Sequence, residues 1–164
     1  MSMFVTWRTV EFVPWRAMVP FWSALTAAVI AQLLKPLINY IFTHKWNWSL
    51  ARAAGGFPSS HSALVSALSL SVGLHEQFRS SIFAVTLAFS VIVIYDAANV
   101  RYYSGQNIKV TQQLVKDLEE MFPERFNDPL YDTKLKPVLG HRWFEVFGGI
   151  VLGLIVAGIF HILI

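Results

Sequence analysis

No cysteine occurs among the 164 residues. Disulfides, thiolate catalysis and cysteine-ligated zinc are therefore excluded. Charge is scarce too: Asp, Glu, Lys and Arg make up 14% of the chain, against roughly 25% in an average soluble domain. What fills the space is apolar. Hydrophobic residues amount to 55% and aromatics to 15%, and mean hydropathy is +0.50. A soluble domain of this size leaves a large share of its surface in water. The composition thus argues against a water-soluble enzyme and excludes a disordered or fibrous chain. The expectation is one integral membrane domain over residues 1–164. The net charge of +3 then reads as basic loops and phosphate partners at a membrane surface, with no nucleic acid.

Four stretches are free of Asp, Glu, Lys and Arg: 17–34, 58–75, 80–95 and 146–164. Each comes near the roughly 20 residues that a spanning helix needs. The expected fold is all-α, a polytopic bundle of about four transmembrane helices at 19–43, 58–76, 80–100 and 143–163. The first requires Lys35 within the helix, and the third requires passage beyond Asp96. Ions at membrane depth are costly and are functional candidates by default. A secretory signal is disfavoured, because the apolar run continues past Lys35 with no small-residue cleavage site before it. Residues 1–15 are too polar to span, and Phe4, Trp7, Phe12 and Trp15 suit an interfacial segment.

Residues 101–142 differ, with seven Lys/Arg and six Asp/Glu. Apolar residues recur there at helical spacing, predicting a separate amphipathic helix over 107–122. Gly149, Gly153 and Ala157 form one small-residue stripe, and Ser62, Ser66, Ser69 and Gly73 another. Such stripes let membrane helices approach closely.

Four antiparallel spans gather the chemistry at one mouth of the bundle. The end of the first helix, the start of the second, the end of the third and the start of the fourth all fall there. The second helix opens with Gly55-Gly56-Phe57-Pro58-Ser59-Ser60-His61-Ser62. Pro58 suits a first helical turn, where free N–H groups bind anions; Ser59, Ser60 and His61 add side-chain donors. A plain capped helix start with a buried histidine reads equally well. His141 and Glu145 are four apart, hence on one helix face. A carboxylate on one ring nitrogen leaves the other as a nucleophile or base, although exposed pairs of this kind are common. Asp96 precedes Arg101 by about one and a half turns. Asp96 orients a cation, ligates a metal or makes a structural ion pair, and an Arg fork fits phosphate. Lys35 and Arg52 complete a cationic set. Two histidines, a carboxylate, cations and an open helix start are the parts of phosphoryl transfer through histidine.

At these residues the sequence resembles the divergent branch of the type-2 phosphatidic acid phosphatase superfamily, the acid phosphatase/vanadium-dependent haloperoxidase-related proteins. Residues 55–70 (GGFPSSHSALVSALSL), 95–101 (YDAANVR), 105–106 and 140–146 (GHRWFEV), with the glycines behind them, carry the likeness. The resemblance implies a membrane-embedded lipid phosphate phosphatase without cofactor or metal. It implies His141 as the nucleophile that becomes phosphohistidine, Glu145 as the residue orienting it, and His61 as general acid. Ser60 and nearby amides, with Ser59, match the phosphate cradle. Lys35, Arg52 and Arg101 are candidates for the cationic clamp, with Asp96 in support. The chain departs from the superfamily pattern as well. Lys35 and Arg52 are 17 apart where a close Lys…Arg-Pro pair is usual. Asn99 stands where the branch has Gly, and Arg142-Trp143 where it has Thr-Pro.

The leading function is hydrolysis of a phosphomonoester or diphosphate on a membrane lipid: phosphatidylglycerol phosphate, phosphatidic acid or a polyprenyl (di)phosphate. The alternative is a non-enzymatic module that binds or flips anionic lipids. A homo-oligomer is compatible with either. Six cations outside the candidate site (Lys45, Lys109, Lys116, Arg125, Lys134 and Lys136) fall on the mouth side, against Arg8, Arg16 and Arg79 opposite. The positive-inside rule then predicts a cytoplasmic site in a bacterial plasma membrane, with both termini outside.

Overall fold

The computed structural model describes residues 15–53, 55–122 and 143–163. The interfacial reading of residues 1–14 lies outside these. A 3-10 turn, Trp15–Met18, leads into α1, Val19–Thr43. Pro20 sits in the first turn of α1, where its missing N–H costs no helical bond. Pro36 interrupts the interior and removes the bond that would reach the Gln32 carbonyl. His44 ends the helix in the left-handed conformation and donates its N–H to the Tyr40 carbonyl at 2.8 Å. A 3-10 segment, Trp48–Arg52, packs back on α1.

Helix α2, Ser60–Glu76, joins α3, Ser81–Tyr95, through a four-residue turn. The Ser80 hydroxyl caps α3 by accepting the Phe83 N–H at 3.1 Å. The third span does not stop at residue 100. A π-helical turn, Asp96–Val100, carries the chain directly into α4, Arg101–Met121. The expected separate helix over 107–122 is therefore the far part of one helical run over 81–121. Sequence gives no break there because Asn99 and Val100 keep the chain helical, while a π turn differs from an α turn by only one extra residue. Helix α5, Trp143–Leu163, completes the bundle.

Among the described residues, three helical runs are long and apolar enough to cross a membrane: Arg16–Thr43, Ser81–Met121 and Trp143–Leu163. Helix α2, expected as the second of the four helices, has 17 residues and is rich in serine. It occupies the middle of the bundle and packs against α1, α3 and α5. With protein on three sides, it needs no lipid-compatible surface of its own. The core is built of small side chains: Ala27 and Ala31 of α1, Ala63 and Ala67 of α2, and Val156 and Ala157 of α5. Gly149 and Gly153 bring α5 onto α2. A Cβ at Gly149 would collide with the Ser59 carbonyl, and one at Gly153 with the Ala63 carbonyl. Bilayer tails are as apolar as any side chain, so such close packing is what holds membrane helices together.

Candidate active site at the bundle mouth

Lys35 is the most deeply buried ion described, at 3% exposure. Its ammonium donates to the Ala53 carbonyl at 3.0 Å. Its stem runs close to Gly56, whose φ of +98° belongs to the left-handed region that glycine favours. The Glu145 carboxylate, on the first turn of α5, acts electrostatically on the same ammonium. One backbone bond fixes the third wall: the Ser59 N–H donates to the Glu145 carbonyl at 2.9 Å. The end of α1, the start of α2 and the start of α5 thus converge through Lys35, Ala53, Ser59 and Glu145. The π turn completes the mouth. It packs against α5 with Ala97 and Ala98 buried and Asp96 half-buried.

The start of α2 differs from the expectation. Pro58 lies outside the helix, and Ser59 is its cap in extended conformation. The Ser59 hydroxyl accepts from the Ser62 N–H at 3.3 Å and from the Ser62 hydroxyl at 3.0 Å. Ser59 is fully buried. It closes the helix start and ties it to α5. Ser60 opens the helix and His61 follows it, both half-buried in the first turn. Arg52 is exposed at the end of its 3-10 segment. Arg101 opens α4, directly after the π turn. His141 lies outside the described residues, one turn before Glu145 in sequence.

Gln32 belongs to this cluster and carried no weight in the sequence. Its Nε2 donates to the Ala53 carbonyl at 3.4 Å, while its Oε1 is buried with no hydrogen-bond partner among the described residues. The available signal was a lone amide in an apolar run, three residues before Lys35. Among the described residues, no group of three or more His, Asp or Glu could hold a metal ion. Around the mouth, Tyr40, Trp46 and Trp48 stack edge to face with centroids 5.2 and 5.1 Å apart. They are exposed, as is Trp143, and form the aromatic belt of a membrane interface.

Comparison with known proteins follows the same outline. The model of the Divergent PAP2 family matches residues 17–156. A protein of Bacillus subtilis (strain 168), the uncharacterized membrane protein YuiD, is 41% identical over 141 residues. The match covers 83% of this chain and 89% of that one. No solved structure matches the chain.

Proposed function

Because the chain belongs to the Divergent PAP2 family, we propose that this integral membrane protein hydrolyses a lipid phosphate. One observation supports the reading above the others: Lys35, Ser59 and Glu145 join three helix ends at a single mouth. In the reaction, the free ring nitrogen of His141 attacks phosphorus. The bond from phosphorus to the lipid oxygen breaks, and His61 gives that oxygen its proton. Glu145 holds the His141 tautomer. Ser60 with the first-turn amides of α2, together with Arg52 and Arg101, neutralises the phosphoryl oxygens. Lys35 sets the local potential, and Asp96 orients a cation. Water then attacks the phosphohistidine and gives a proton back to His61; the bond from phosphorus to the His141 nitrogen breaks, which frees inorganic phosphate and restores the imidazole. Acid–base catalysis contributes on the order of 10²–10⁴-fold to such a step.

We place the site on the cytoplasmic face, with phosphatidylglycerol phosphate or phosphatidic acid as the substrate, on the six-to-three excess of mouth-side cations. Phosphate release by purified protein from a panel of lipid phosphates tests the reading. Wild type is expected to turn over in EDTA as well as in magnesium. His141→Gln should abolish release while keeping the fold. His61→Gln should slow poor leaving groups more than good ones. A His141→Gln protein working at the wild-type rate defeats the mechanism. Binding of anionic vesicles without phosphate release favours the binding or flipping module instead.

A further inference from the structure

A groove of about 250 Å³ opens between α2, α3 and α5, apart from the mouth. Leu70, Leu87, Val91, Ile94 and Leu154 form its walls. Its floor is Ser66, Ser69 and Ser90. The Ser69 and Ser90 hydroxyls do not call for a polar ligand. Ser69 and Ser90 pair at 2.7 Å, and Ser90 donates onward to the Thr86 carbonyl at 2.8 Å. The floor is low because serines replace larger residues where α2 meets α3. The α3 and α5 walls lie on helices long and apolar enough to cross a membrane, so the groove faces hydrocarbon, not water.

The two ends differ. Phe78 and Phe83, edge to face at 5.1 Å, stand at the end where α2 turns into α3. The other end reaches Ile94, two residues before Asp96 and the π turn of the mouth. From Phe83 to Ile94 the α3 wall extends about 16 Å, at ~1.5 Å per residue. The volume falls below the ~300–1,000 Å³ of pockets that take drug-sized molecules, which suits one chain. We propose that this groove is the binding subsite for a single hydrocarbon chain of the phosphate-headed lipid, running from the mouth toward the phenylalanine pair. The inference rests on the phosphatase reading for the position of the headgroup. Surrounding lipid tails are as apolar as the groove, so filling it yields no hydrophobic gain. Selection comes from the phosphate held at the mouth, and occupancy must therefore depend on headgroup.

Photo-crosslinking reads that dependence without any turnover. The full-length protein is placed in phosphatidylcholine vesicles with a diazirine-tipped chain carried on either phosphatidic acid or phosphatidylcholine, and adducts are mapped by mass spectrometry. The phosphatidic acid probe should label Leu87, Val91 or Leu154 several-fold more than the phosphatidylcholine probe. Val85, exposed at 70% and outside the groove, should take both equally. Val91→Trp is placed at a residue 59% exposed, so the fold accommodates it. It should erase the groove adducts and raise KM several-fold for a long-chain phosphate, while a short-chain soluble phosphate is unaffected. Equal groove labelling by both lipids overturns the proposal. His141-dependent phosphate release with equal labelling sinks the groove alone. Selective labelling without phosphate release from any lipid keeps the groove and sinks the phosphatase.

Discussion

Lys35 shows how much one side chain organises. An ammonium at membrane depth is tolerable only with partners, and it has the Ala53 carbonyl and the field of Glu145. Lys35→Met would leave that carbonyl without its lysine donor and remove the ammonium on which Glu145 acts. Removing the donor of a buried hydrogen bond costs about 1–3 kcal/mol. Thermal unfolding in detergent should show the loss, whereas Lys45→Met, on the exposed loop, should melt like wild type. Equal melting of the two variants would remove Lys35 from this role. Lys35 was legible in the sequence because an ion inside an apolar run has no water to face. Gln32 was not, since a neutral amide barely disturbs the hydropathy pattern. Ser59 was legible as a helix-start residue, but its hydroxyl and its N–H are both used within the protein, by Ser62 and Glu145. No local pattern reveals a partner that lies some 86 residues away.

At the scale of elements, hydropathy placed α1 and α5 at their observed limits, 19–43 and 143–163. Long apolar runs bounded by turns leave little freedom. Helix α2 opens two residues later than expected because its cap faces α5, which is a tertiary matter. The π turn had no composition to announce it. Packing of α5 onto α2 was legible in the stripe Gly149, Gly153 and Ala157, and the structure shows what the stripe excludes. Gly149→Ala and Gly153→Ala would drive a methyl into the α2 backbone. Overpacking of this kind costs about 1–3 kcal/mol. Gly158→Ala meets nothing within 4 Å and should be neutral or slightly stabilising. Melting temperatures of the three variants, compared in one detergent, decide the matter. A Gly158→Ala protein as unstable as Gly149→Ala would mean that the close approach of α5 to α2 does not set the effect.

For the molecule as a whole, orientation follows from charge and is open to a direct measurement. The chain lacks cysteine, so Asn127→Cys introduces a single thiol between α4 and α5. A cytoplasmic mouth predicts that an impermeant maleimide leaves it unlabelled in intact cells and labels it after lysis. Labelling before lysis reverses the orientation and favours an outward-facing polyprenyl substrate. The sequence yielded the all-α membrane class and the gathering of polar residues at one end, since both follow from apolar length and antiparallel order. It did not yield the central place of α2, which depends on which helices surround it. That placement bears on how the protein is made. A 17-residue serine-rich helix has little claim on the bilayer when it leaves the ribosome. Its most extensive partner, α5, begins only at Trp143, after the 66 residues 77–142 have followed α2. At ~5–20 residues per second, α2 waits roughly 3–13 s for that partner. During this interval, among the described elements, α1 and then α3 give it helical shelter, so assembly of the bundle begins as a hairpin that the last helix closes.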